Sequence, residues 1–102
     1  MATLHILNKS GTSSPSLHSV ARLMKRRDGL LLIENAVYIA RKNGPDSDLM
    51  ISLLTEHGVY VLLPDLQARG VSAEDILSEV TPVDYRGFVD LSAEYEKPMS
   101  WF

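Results

Sequence analysis

The 102-residue chain contains no cysteine. That absence excludes a disulfide framework, a thiolate zinc site, an iron–sulfur cluster and a cysteine nucleophile on this chain. Apolar runs such as Leu30–Ile33 are far shorter than the ~20 residues a membrane span requires. The start, Met1-Ala2-Thr3-Leu4-His5-Ile6, has neither a basic n-region nor a cleavable apolar run. A soluble, cytoplasmic protein with no membrane partner is therefore expected. Internal repeats, low-complexity tracts and linkers are also missing, and the length suits one domain over residues 1–102.

The catalytic signatures are equally sparse. No Gly-x-Ser-x-Gly elbow, Gly-x-Gly-x-x-Gly turn, Walker loop or His-x-x-x-His pair occurs. His5, His18 and His57 are isolated in sequence and read as structural or solvated. No base–nucleophile or metal constellation can be assembled, so no catalytic residue, metal or cofactor is expected.

Hydrophobic residues make up 45% of the chain and charged residues 23%, near the globular average. The net charge of −3 argues against a general nucleic-acid coat. That mean conceals a split. Residues 1–44 carry seven basic side chains against Asp28 and Glu34, a balance of +5. Residues 45–102 carry three basic side chains against eleven acidic ones, a balance of −8. Four cations, Arg22, Lys25, Arg26 and Arg27, fall within six residues. They read as a solvated helix end complementing the C-terminal dipole. The base-stacking aromatics of an RNA site are absent from that stretch.

Thr3–Leu7 reads as a strand leading into Asn8-Lys9-Ser10-Gly11. Thr12-Ser13-Ser14-Pro15 reads as a helix start, with Leu17, Val20, Ala21 and Met24 forming one apolar stripe. That helix is expected to run through Arg27 and end at Asp28-Gly29. Leu30–Ile33 is a second strand, continuously apolar as in a sheet covered on both faces. Ala36–Ala40 forms a short helix and Leu49–His57 a longer one stopped by Gly58, while Val59–Leu63 is a third strand. Pro64-Asp65 begins a short helix ending at Gly70, and Ser72–Asp75 a single turn. Val80–Val83 is a candidate fourth strand, placed at an edge by Pro82. Asp84 caps a last helix with the stripe Tyr85, Phe88, Val89, Ser92 and Tyr95. Lys97–Phe102 is left as a tail.

Strands alternating with helices predict an α/β fold: a small doubly wound, mainly parallel sheet of four to five strands with helices on both faces. In such sheets ligands sit beyond the carboxyl ends of the strands. Asn8, Lys9 and Ser10 lie there and form a candidate anion-binding loop at the start of the first helix. Trp101 and Phe102 are two large rings at a terminus, expected to be buried against the domain or against a partner.

Several stretches carry a resemblance. Leu4–Ser10, Asp28–Tyr38, Val59–Gly70, Val83–Leu91 and Ser100-Trp101 occur in the order in which similar blocks occur in the DsrH/TusB family of small sulfur-relay subunits. The resemblance implies a DsrE/F/H-like fold. It also implies two paralogous partners, one TusD/DsrE-like and one TusC/DsrF-like, in a dimer of heterotrimers. Apart from the resemblance, a sheet of four or so strands leaves open edges, and self-association of the isolated chain is one way to protect them. Such complexes serve 2-thiolation of the tRNA wobble uridine or, in the DsrEFH version, sulfur trafficking in sulfur oxidation. This chain would meet tRNA at most indirectly. The reactive cysteine of such a complex belongs chiefly to the TusD/DsrE-like subunit. Some DsrH-type members carry a cysteine in the stretch matching Leu17–Val20, where this chain has Val20. A persulfide carrier needs a thiolate, so the expected role here is structural, non-enzymatic and leaning to the TusB side.

Overall fold

The computed structural model describes residues 2–10 and 17–102. Gly11 and the expected helix start Thr12–Pro15 lie outside the described residues. Five strands, β1 (Thr3–Leu7), β2 (Gly29–Leu32), β3 (Val59–Leu62), β4 (Thr81–Val83) and β5 (Lys97–Trp101), form one sheet in the order β4-β3-β2-β1-β5. Every pairing is parallel. The helices are α1 (Leu17–Leu23), α2 (Ser47–Leu54), α3 (Leu63–Ala68) and α4 (Tyr85–Glu94). Short 3-10 segments cover Glu34–Ala40 and Ala73–Asp75. None of the described helices is long and apolar enough to cross a membrane.

The strand order explains the layering. From β1 to β4 the chain steps in one direction across the sheet, so right-handed crossovers put α1, α2 and α3 on one face. The connection from β4 to β5 returns across the whole sheet and puts α4 on the other. Two apolar clusters follow from the strand alternation. Leu7, Leu30, Leu32, Val59 and Val61 pack under Leu17, Val20, Met50, Leu53 and Leu66. Leu4, Ile6, Leu31, Ile33 and Leu62 pack under Leu91 of α4, with Phe88 and Tyr95 beside it. The second face is thus roofed by a single helix.

Four sequence expectations need correction. The tail is a strand: Lys97–Trp101 pairs with Thr3–Leu7 along its whole length. Pro98 is tolerated because β5 is an edge, where a missing N–H costs no ladder bond on the open side. The stripe of α4 is Phe88, Leu91, Ser92 and Tyr95, whereas Tyr85 and Val89 face outward, 62% and 67% exposed. The first helix ends at Leu23 and not at Arg27, because the backbone turns over residues 25–28, with the Asp28 N–H donating to the Lys25 carbonyl at 2.9 Å. Helix α2 likewise stops at Leu54, short of His57.

Two caps match the sequence reading. Asp84 Oδ1 accepts from the Gly87 N–H at 2.7 Å, and Ser72 Oγ from the Glu74 N–H at 3.2 Å.

Gly29 opens β2 for a packing reason. A Cβ there would lie 2.6 Å from the Tyr95 ring. The Tyr95 hydroxyl, 3.2 Å from that of Tyr60, closes α4 onto the sheet. Burial, and the hydrogen bond with Tyr60, raise the Tyr95 phenol above its ordinary range, so it stays a neutral partner. Gly29→Ala should therefore cost about 1–3 kcal/mol in urea unfolding, the usual penalty of overpacking. In a Tyr95→Ala background, which removes the ring, the same substitution should cost almost nothing. Equal costs in both backgrounds would show that the ring is not what demands glycine.

Candidate functional site

The parallel sheet has two ends, and polar chemistry gathers at both. At the amino end Asp28 is the hub. It directly precedes β2, opposite the start of β1, and is almost completely buried. Its carboxylate accepts the Thr3 N–H at 2.9 Å, the Lys25 N–H at 2.9 Å and His5 Nε2 at 2.8 Å. Its backbone carbonyl takes a fourth hydrogen bond from His57 Nδ1 at 2.8 Å. Burial alone would raise this carboxyl. The hydrogen bonds from Lys25, His5 and Thr3 outweigh it and hold Asp28 below the usual carboxylate value of 3.8.

His5 carries the interaction across the sheet face. Its other nitrogen, Nδ1, accepts the Trp101 indole N–H at 3.0 Å, and the two rings stack 6.0 Å apart at 28°. A donor indole requires a bare Nδ1, which leaves the proton on Nε2 pointing at Asp28. The line Asp28–His5–Trp101 therefore joins β2, β1 and β5 with every ring nitrogen satisfied. Such an arrangement orients a histidine, and both of its ring nitrogens are engaged within the domain, by Asp28 and by Trp101. Its chemistry is that of a clasp.

At the carboxyl end the strand exits are also tied together. Glu34 leaves β2 with φ of +50°, a left-handed conformation uncommon for a side-chain-bearing residue. Its N–H donates to Asp65 Oδ2 at 2.6 Å, at the start of α3. Arg69, one turn later, donates from Nε to Asn35 Oδ1 at 2.9 Å and from Nη1 to the Asp65 carbonyl at 3.3 Å. Asp65 thus fixes the exit of β2 against that of β3 and holds the strained turn.

The candidate loop residues sit at this end. Asn8 follows β1 half-buried, with its Oδ1 enclosed and unpaired; Lys9 is exposed and Ser10 half-buried. Ser10 lines a hollow with Tyr38, Arg41 and Pro45. The rest of the expected anion-binding loop, residues 11–14, lies outside the described residues. Among the described residues no group of three or more histidine or acidic side chains is placed to hold a metal ion. His18 bonds Asp46 Oδ1 at 3.2 Å on the surface. Of the two terminal rings, Trp101 is docked on its own domain and Phe102 stands 64% exposed. The sequence marks Asp28 only as a helix end and Asp65 only as a helix start; their partners His5 and Glu34 lie 23 and 31 residues away, beyond any local pattern.

Two results should follow. Trp101→Phe keeps the ring but removes the indole donor, and should lose about 0.5–1.5 kcal/mol of stability. Asp28→Asn should lose about 1.5–3 kcal/mol at neutral pH, the range for hydrogen bonds to a charged group. Because the folded-state carboxyl ionises below 3.8, the wild-type advantage over Asp28→Asn is complete above that value. It should shrink as the pH falls through the lower folded-state value. An advantage that grows on acidification, measured by urea titration across pH, would contradict this assignment.

Comparison with known proteins agrees with the geometry. Residues 9–98 match the family described as "DsrH like protein". Protein TusB of Buchnera aphidicola is 31% identical over 98 residues, covering 96% of this chain and 99% of the relative. Protein TusB of Pectobacterium parmentieri is 33% identical over 99 residues, with the same coverage. Among solved structures, the ychN protein of E. coli superposes with a TM-score of 0.74 at 18% identity, covering 98% of this chain and 99% of that one. Tm0979 of Thermotoga maritima does so with 0.62 at 32% identity, covering 95% and 97%. The fold, the ordered sequence blocks and these relatives lead to one conclusion: the chain belongs to the DsrH/TusB family.

Proposed function

We propose that this chain is a non-catalytic subunit of a cytoplasmic sulfur-relay complex of the TusBCD kind, supporting 2-thiolation of the tRNA wobble uridine. The observation that carries the reading is a family match over most of a chain with no cysteine. Sulfur passes between relay proteins as a persulfide, which forms only on a thiolate. This chain has none to offer, so the thiol belongs to a TusD/DsrE-like partner, and this subunit supplies surface and shape.

Two features support a role in assembly. The outer side of α4 presents Tyr85 and Val89 one turn apart, both largely bare. Large apolar side chains exposed together are a common mark of a protein contact. The polar residues that the fold does recruit, Asp28, His5, Asp65 and Arg69, are spent on tying strands and exits together. The candidate loop Asn8–Ser10 and the exposed ring of Phe102 are available to partners of the complex, Trp101 being committed inward.

The test is genetic and biochemical together. Deletion of the gene in its own host should abolish 2-thiouridine in tRNA, and the wild-type chain should restore it. Co-expression with the host's DsrE-like and DsrF-like chains should yield one complex. Tyr85→Glu with Val89→Glu, on a largely exposed side-chain pair, should weaken that assembly by about tenfold or more. Normal thiolation in the deletion strain, with loss of sulfur oxidation instead, would move the chain to a DsrEFH-type complex. A protein that stays monomeric in the presence of both chains would overturn the reading altogether.

A further inference from the structure

The four clustered cations do not have the explanation their sequence suggested. Because α1 ends at Leu23, only Arg22 lies in its last turn, where a cation complements the helix dipole. Lys25, Arg26 and Arg27 lie beyond it, in the turn leading to β2, and are exposed. The nearest acid in sequence, Asp28, does not offset them, since its carboxylate is turned inward and consumed by three internal hydrogen bonds.

These cations border a groove between α1 and α2. Two contiguous hollows of about 690 and 670 Å³ share Met24, Glu56 and His57. Arg26 and Arg27 line the first and Arg22 the second. The floor is apolar: Met24, Leu49 and Leu53 all pack on the core below. Within the groove the acidic side chain is Glu56; at the far end Asp46 is engaged by His18.

We propose that this groove is a docking site for an acidic, amphipathic polypeptide segment of a partner protein. The apolar floor takes the segment's apolar side chains, and Arg22, Arg26 and Arg27 pair with its carboxylates. A polypeptide is favoured over RNA by the apolar floor of Met24, Leu49 and Leu53, which matches the apolar side chains of an amphipathic segment and would be left uncovered by a phosphate backbone. The proposal is independent of the sulfur-relay reading: it rests on charges and shape and not on family membership.

The full-length chain, labelled at its methyl groups, is titrated with a synthetic helical peptide bearing glutamates on one face and leucines on the other. Poly-L-glutamate, which lacks the apolar face, and poly(U) RNA serve as the other probes. The peptide should shift the Met24 and Leu53 methyls and bind more tightly than either polymer. Raised salt should weaken it, as screening requires. Arg22→Gln, Arg26→Gln and Arg27→Gln together should weaken it by about tenfold, as expected for three exposed charge pairs. These side chains are exposed, so the variant's methyl spectrum should otherwise match the wild type. A separate Met24→Gln variant, read at the Leu53 methyls, should weaken the peptide but not poly-L-glutamate, because Met24 lines both hollows. Tighter binding of poly(U), shifts confined to other surfaces, dimerisation of the chain through this groove, or unchanged affinity in the triple variant would each overturn the proposal.

Discussion

The buried carboxylate of Asp28 is the interaction on which the assembly of this sheet rests. A charge taken out of water is costly unless its hydrogen-bonding capacity is filled, and here it is filled by three bonds from two separate segments. Thr3 and His5 bring in β1, and Lys25 the turn after α1. The indole of Trp101 reaches His5 from the opposite side, so the orientation of the last strand depends on a carboxylate two strands away. The carbonyl of the same residue holds His57, which sets the entry to β3. Removing Asp28 would therefore leave several groups unsatisfied at once. A substitution at Trp101 frees only the far end of the line.

The topology sets what this clasp must accomplish. β5 is an edge strand that begins with lysine and proline and follows a crossover spanning the whole sheet. None of its residues is fully buried, so apolar burial contributes little to holding it. The hydrogen bond to His5 and the ring stacking supply a specific attachment instead. On the other face the single helix α4 is seated by Leu91 and by the Tyr60–Tyr95 contact over Gly29. A chain arranged in this way devotes its polar residues to structure.

Much of this was legible in the sequence. Leu30–Ile33 and Val59–Leu63 are apolar on successive residues because both sheet faces are covered, and that pattern alone announces a parallel sheet. The caps at Ser72 and Asp84 are local, and local chemistry is readable. The strand Lys97–Trp101 was not legible: its alternation is weak, it contains Pro98, and its partner lies more than ninety residues earlier. Only Met99 and Trp101, two residues apart on one face, hinted at it. The α4 helix offered two overlapping stripes, and tertiary packing chose the one through Leu91 over the one through Tyr85 and Val89. The end of α1 was misplaced because cations after Leu23 mimic a helix terminus, while the residue that ends the turn, Asp28, acts through a buried side chain. Of the candidate site, Trp101 was visible as a ring needing burial, but its acceptor His5 was visible only as an isolated histidine.

The central claim is that a chain without a thiol is nonetheless needed for sulfur to move. The most direct measurement is the rate at which radioactive persulfide sulfur passes from an upstream carrier to the cysteine of the DsrE-like partner. It is taken with and without this chain in an otherwise complete, purified system. The account predicts a marked slowing when the chain is left out, with label on the partner's cysteine and none on this subunit at any time. Transfer at an unchanged rate and to the same extent in its absence would contradict it.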